Sequence, residues 1–134
     1  MLFDIRQGIL YSVTPEENET KIILPSDVEA IWFDAFNFCQ NIDTIIINEG
    51  VKYIKGGAFL ECTSLEKIYI PQSVKKIHVF DDEYISNNQM MKTKGGYSEF
   101  RNALDGFNVI GESGSFAEKY SAHFEIPFKR HEIR

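Results

Sequence analysis

Residues 48–71 read NEGVKYIKGGAFLECTSLEKIYIP, and this stretch decides the fold because its apolar positions recur along the chain at an offset of 23 residues. The offset superposes two apolar sets, Val28, Val51 and Val74, and Ile31, Ile54 and Ile77. A fixed period between about 20 and 50 residues is typical of stacked units, each of which buries its apolar side against a neighbour. The sequence therefore predicts a solenoid.

Each repeat contains one segment with the pattern of a short buried strand. Ile45 and Ile47 are β-branched and lie two residues apart, so an extended chain places both on one face. The same pattern recurs one repeat earlier and one repeat later, which predicts parallel strands around residues 21–24, 44–47 and 67–70. Two of these strands are followed by a proline, which lacks a backbone donor and ends the ladder.

Two cysteines, Cys39 and Cys62, occupy the same position in successive repeats. Each closes an Ala-Phe-x-x-Cys segment, whose i, i+3 spacing predicts a short helical turn that buries its Phe with its Cys. Free cysteine behaves as a small buried hydrophobe, which favours two reduced thiols in the core. A disulfide is the alternative, because adjacent coils could bring the two Cα atoms within about 7 Å.

The repeat pattern ends after Ile77. Residues 78–103 are rich in polar residues and glycine without a clear period, which predicts an insertion into the third coil that is either functional or disordered. Further on, Ser115 and Glu118 have the spacing of a helix capping box. We therefore expect one domain over residues 1–134, made of an N-terminal cap, the repeats, the insertion and a C-terminal cap at 1–20, 21–77, 78–103 and 104–134.

These repeats resemble the BspA-type leucine-rich repeat. Residues 48–71 carry the resemblance through their Val-x-x-Ile, Ala-Phe-x-x-Cys and Ser-Leu-x-x-Ile-x-Ile-Pro segments. Trp32 and Lys55 depart from it, because the family usually has glycine at their positions. The resemblance implies an α/β leucine-rich-repeat solenoid, a short right-handed superhelix of about three coils with short parallel strands, short helical turns, an N-terminal hairpin cap and a C-terminal helical cap. It also implies a module that binds varied proteins, in a family of mostly bacterial surface or secreted proteins implicated in adhesion.

Composition and charge argue against several classes of function. The formal charge of −6 is opposite to that of the basic surfaces of nucleic-acid-binding domains, so we expect no nucleic-acid partner. No run of about 18 apolar residues occurs, so we expect no membrane span. The first residues lack the pattern of a secretory signal. The location is therefore open between the cytoplasm and export with a leader that is absent from this sequence.

No set of residues has the spacing of a catalytic or metal centre. No two of the three histidines lie at i, i+4, and the cysteines form no Cys-x-x-Cys motif. Residues 111–115 approach the nucleophile-elbow pattern but lack its final glycine. The acidic run at 81–83 lacks the ligand alternation of a calcium loop, which favours a solvated loop. We expect no catalytic residue, cofactor or metal, and an enzyme or ion site at the insertion is only a third hypothesis.

The candidate binding surface lies on the outward face of the predicted strands, where repeat geometry stacks side chains into rows. One row is apolar and its neighbour is polar: Ile23, Ile46 and Tyr69 beside Lys21, Thr44 and Lys67. An apolar row flanked by lysines resembles the core and rim of a protein interface. A second surface, built on Ala30, Tyr53 and Lys76, has the pattern of an ordinary solvated face.

Three interpretations of the apolar row stay open. The insertion or the N-terminal hairpin folds over it, a second copy of the chain covers it, or a foreign protein or peptide binds it. The function we favour is a non-catalytic protein-interaction module that binds through this strand face. A self-associating structural unit, and hence a homo-oligomer, is the alternative.

Overall fold

The structure is a computed structural model and describes residues 1–78, 84–86 and 98–131. In these ranges the chain forms strands β1 (Leu2–Arg6), β2 (Ile9–Thr14), β3 (Lys21–Ile23), β4 (Ala30–Ile31), β5 (Thr44–Ile46), β6 (Tyr53–Ile54), β7 (Lys67–Tyr69), β8 (Lys76–His78), β9 (Tyr84–Ser86), β10 (Asn108–Gly111) and β11 (Phe128–Arg130). One helix, α1 (Phe116–His123), lies between β10 and β11.

The strands form the two sheets of a β-solenoid. The first sheet has the order β1-β2-β4-β6-β8-β9, and the second has the order β11-β10-β7-β5-β3. Strands of successive repeats pair in parallel, whereas β1 with β2 and β8 with β9 are antiparallel pairs. The solenoid has about four turns rather than the three coils predicted, because β10 continues the second sheet beyond the insertion.

Residues one repeat apart are aligned in register, as the offset predicted. The aligned sets are Ile22, Ile45 and Ile68 in the second sheet and Ile31, Ile54 and Ile77 in the first. All six are fully buried, and so are Val28, Val51 and Val74. Burying one such side chain contributes about 1.5–3 kcal/mol relative to leaving it exposed. A shared apolar interior therefore holds the turns together.

Polar side chains link successive turns where the strands end. The Asn48 side-chain amide donates to the Val28 carbonyl, one turn back, at 3.1 Å. The Ser73 hydroxyl donates to the Val51 carbonyl at 2.7 Å and accepts from the Gly50 N–H at 3.0 Å. These bonds satisfy backbone groups that strand pairing does not reach, and an unpartnered buried group would cost free energy.

The Ala-Phe-x-x-Cys segments form hydrogen-bonded turns, which corrects the expectation of short helical turns. The Cys39 N–H donates to the Phe36 carbonyl and the Cys62 N–H to the Phe59 carbonyl, both at 3.1 Å and both spanning three residues. Such a segment is too short to repay the cost of starting an α-helix. The turns nevertheless stack, since the Phe36 and Phe59 ring centroids are 4.8 Å apart.

Residues 98–103, predicted as the end of the insertion, lie in the packed structure. The Phe100 ring packs on Phe59 with 5.0 Å between centroids. Val109 pairs with Ile68, so the next strand follows at an offset of 41 residues instead of 23. Residues 98–103 therefore complete the turn that the insertion interrupts. His78 ends β8, and the other residues of the predicted insertion, including the acidic run at 81–83, lie outside the described part of the chain apart from β9.

The two ends of the chain add a hairpin and a helix. The β1–β2 hairpin pairs with β4, and the Val13 N–H donates to the Ala35 carbonyl at 2.9 Å. At the other end, the Ser115 hydroxyl accepts from the Glu118 N–H at 3.3 Å, as the capping spacing predicted. The Glu118 carboxylate accepts from the Gly114 N–H at 2.7 Å, one residue before the position that a capping box uses.

Candidate functional site

The outward face of the second sheet carries the apolar row. Ile23, Ile46 and Tyr69 occupy directly paired positions on β3, β5 and β7. Ile23 is 60% exposed, and the other two are half-buried. Pairing of β10 with β7 and with β11 extends the row to Ile110, which is only 8% exposed, and to the exposed Lys129. The row therefore crosses five strands.

The neighbouring polar row is in register but is interrupted at its middle. Lys21 is exposed and Lys67 is half-buried. Thr44, which was expected to face outward, is only 8% exposed, and its hydroxyl donates to Asp43 Oδ1 at 2.7 Å. A buried hydroxyl with an internal partner offers little to a ligand. The row thus presents two lysines with a covered position between them.

A groove of about 430 Å³ adjoins the apolar row near the C-terminal ends of β5, β7 and β10. Its lining includes three apolar residues of the row, two carboxylates and one imidazole: Ile46, Tyr69, Ile110, Glu49, Glu112 and His131. The His131 ring meets the Tyr69 ring edge-on, with 5.7 Å between centroids. The backbone N–H of His131 donates to the Gly111 carbonyl at 2.7 Å. The groove has the size of a small ligand pocket or of a site for one or two side chains of a partner.

Sequence reasoning found Ile46 and Tyr69 but missed the part of the groove that follows the insertion. Ile110 and His131 belong to a strand and a terminal segment that the 23-residue offset does not reach. A detectable signal was present, because Val109 and its neighbours have the apolar alternation of the earlier strands. Aligning Val109 with Ile68 would have placed Ile110 in the row.

The N-terminal hairpin does not cover the apolar row. Strands β1 and β2 belong to the first sheet, whereas the row lies on the second. Strand β9, the described part of the insertion, also pairs in the first sheet. Among the described residues, neither the hairpin nor β9 therefore covers the row.

Comparison with protein families agrees with the geometry of the repeats. The BspA type Leucine rich repeat region, in six copies, matches residues 12–103. This chain belongs to the BspA-type leucine-rich repeat family. The matched range extends over residues 78–103, which the sequence pattern predicted as an insertion. BspA-type repeats are a non-enzymatic family whose modules are often used in protein interaction.

One curated protein similar to this BspA-type domain is phosphomannomutase 2 of Dictyostelium discoideum. The two are 28% identical over 98 residues, which are 73% of this chain and 39% of that protein. The chain thus spans less than two thirds of the length of that relative. No solved structure matches the chain significantly.

Within the described residues the BspA-type domain shows no metal-ligand cluster of three or more His, Cys, Asp or Glu side chains. Both cysteines are free and buried. Burial raises the pKa of the Cys39 thiol to about 12, and it also raises that of Cys62. Thiols with such raised pKa values are poor nucleophiles at neutral pH. In the described part of the chain, no helix has the length and apolar composition required to cross a membrane.

One buried carboxyl group, Glu99, was not anticipated from the sequence. Its side chain is fully buried, and its Oε1 accepts from the Gly57 N–H at 2.7 Å. Its own N–H donates to the Tyr120 hydroxyl at 2.9 Å. Burial raises the pKa of Glu99 to about 7, against the lowering effect of the Gly57 hydrogen bond and of the Arg101 charge. Glu99 therefore joins the interrupted turn to its neighbour and to α1.

Proposed function

We propose that this BspA-type domain is a non-catalytic module that binds a protein or peptide through the strand face of its second sheet. The observation that supports this most strongly is the paired row of Ile23, Ile46 and Tyr69 leading into the groove. Lys21 and Lys67 flank the row, as charged residues flank the core of an interface. The adhesion role implied by the family is part of this proposal.

Most of the binding free energy of such an interface comes from a few buried residues, among which tyrosine is frequent. Tyr69 is suited to that role because His131 packs edge-on against its ring and fixes one side of the groove. Ile46 lies beside Tyr69 in the register and adds apolar area. We propose that Lys67, through its positive charge, orients the bound partner. Thr44 contributes as a spacer rather than as a contact.

The test replaces the two central residues of the row, Ile46→Asp together with Tyr69→Asp. The matched control replaces two exposed apolar residues outside the row, Phe38→Asp together with Leu104→Asp. Proteins captured from an extract by the immobilised domain are identified by mass spectrometry and their binding is measured. Loss of two hot-spot residues should weaken binding by about 30-fold or more. Binding that survives in the row variant, or is equally lost in the control, would contradict this site.

A second candidate function is self-association, which one observation favours. Strand β3 is an edge of the second sheet, and its residue Ile23 is 60% exposed. Copies of a chain can associate through exposed edge strands of a sheet and through exposed apolar patches. Light scattering over a range of concentrations should then show a stable oligomer that Ile23→Lys dissociates. A monomer at all concentrations excludes this alternative.

We also infer that the hairpin and the helix act as caps, so that 1–20 and 104–134 shield the two ends of one domain core. The link from Val13 to Ala35 supports the first cap, and the fully buried Tyr120 supports the second. Terminal units of repeat proteins need such covering because their core would otherwise be open to solvent. Limited proteolysis that yields one resistant fragment, rather than two, tests the single-domain arrangement.

A further inference from the structure

An aromatic cluster lies on the first sheet, away from the strand-face row. Tyr11 on β2, Trp32 immediately after β4, and Tyr53 on β6 come from three successive units. The Trp32 ring centroid is 6.1 Å from that of Tyr11 and 6.4 Å from that of Tyr53. Phe33 adds a ring 6.1 Å from Trp32 and is 51% exposed. This face therefore differs from the ordinary solvated surface predicted for it.

Cations are interleaved with these rings. The Arg6 guanidinium lies 4.1 Å above the Tyr11 ring, and the Lys55 ammonium lies 4.7 Å above Trp32. Lys55 occupies the position of Trp32 one repeat later, so repeat stacking itself brings the pair together. Cation–π contacts of this kind favour the placement of the cation beside the ring.

Two further lysines directly precede the strands of this face, and Glu29 lies one repeat before them, with its carbonyl accepting from the Lys52 N–H at 2.9 Å. Lys52 and Lys75 are exposed, and the Lys75 N–H donates to the Lys52 carbonyl at 3.0 Å, so the two are adjacent. Among the described residues, neither they nor Lys55 is ion-paired, whereas Arg6 pairs with Asp4 at 3.3 Å. These unpaired cations are notable on a chain with a formal charge of −6. We call the six residues Tyr11, Trp32, Tyr53, Lys52, Lys55 and Lys75 the cation–aromatic patch.

We propose that the cation–aromatic patch binds an acidic segment of a partner protein in which carboxylates alternate with apolar side chains. Charge complementarity supplies the carboxylate contacts, and the rings supply apolar area at low entropic cost. Sugars and bases stack best on flat platforms, but the rings are inclined by 56° and 64° to one another. Irregular protein side chains fit such a surface better. The site shares no residue with the proposed strand-face site and does not depend on it.

Trp32 is the single tryptophan of the chain and reports directly on this patch. The full chain is titrated with a synthetic peptide of alternating glutamate and leucine while the Trp32 emission is followed. Saturable change of that emission is expected, with affinity that falls as salt is added. The corresponding lysine–leucine peptide should produce no change. The absence of a response to the acidic peptide would overturn the proposal.

Charge-reversal variants distinguish binding at the patch from attraction to the overall charge of the protein. Lys52→Glu with Lys75→Glu should weaken binding of the acidic peptide by about tenfold. The control, Lys119→Glu with Arg130→Glu, makes the same change in net charge at exposed positions outside both proposed sites and should leave binding unchanged. Equal weakening in both variants would overturn the proposal. So would an equal emission change with uronic-acid oligosaccharides or with phosphatidylserine vesicles, which would assign the patch to a polysaccharide or a membrane.

Discussion

Replacing Glu99 with glutamine should remove one pH dependence from the stability of this domain. Glu99 is fully buried, and burial raises its pKa from about 4.5 to about 7. The carboxyl group therefore binds its proton more tightly in the folded chain than in the unfolded chain. Glutamine keeps the shape and an oxygen that can accept from Gly57, but it cannot titrate.

The direction in which pH changes the free energy of unfolding follows from the linkage between protonation and folding. Because the folded-state pKa is the higher one, the contribution of Glu99 is fully present below about pH 4.5 and is lost as the pH rises to about 7. Each unit of pKa shift corresponds to 1.36 kcal/mol, so the full loss is about 3 kcal/mol. Above about pH 7 the contribution is constant, since both states are ionised.

The assay is urea unfolding followed by circular dichroism at a series of pH values from about 4.5 to about 8. The free energy of unfolding of Glu99→Gln is subtracted from that of the parent at each pH, which cancels groups common to both. The difference should fall by about 3 kcal/mol over this range. The exposed substitution Gln72→Asn, which changes no titratable group, serves as the control and should give a flat difference. A flat difference for Glu99→Gln would refute the reasoning.

Two further predictions concern the core. Phe59→Ala removes the middle ring between Phe36 and Phe100, so it should lower the free energy of unfolding by about 3–5 kcal/mol. The control is Phe38→Ala at a 63% exposed position, which should change the free energy of unfolding by less than about 0.5 kcal/mol in the same urea titration. Because burial raises its thiol pKa, Cys62 should resist a thiol reagent at neutral pH in the folded protein, and both thiols should react after unfolding without reductant. Rapid reaction in the folded state would contradict that burial, and no reaction after unfolding would indicate a disulfide.

The repeat offset predicted the core because a solenoid converts sequence period directly into spatial alignment. Val28, Val51 and Val74 are buried as expected, and Ile31 pairs with Ile54 as expected. The same logic placed Ile23, Ile46 and Tyr69 in one row. Each of these positions depends only on neighbours one repeat away, which is why local pattern was sufficient.

Features that depend on a change of offset, or on side-chain contacts, could not be predicted in that way. Glu99 stands where the earlier turns have alanine, so the segment that completes the interrupted turn did not match the repeat pattern. Thr44 is buried and its hydroxyl donates to Asp43, whereas strand alternation predicts only an outward-facing residue at this position. Trp32 and Lys55 each depart from the family pattern, and the sequence does not indicate that their side chains contact each other.

The interrupted turn also makes this domain a natural scaffold for grafting. The register between neighbouring coils is restored by Phe100 against Phe59 and by Val109 beside Ile68, although the offset there is 41 residues instead of 23. A foreign epitope inserted between residues 86 and 98 should therefore leave the surrounding architecture unchanged as long as both contacts form.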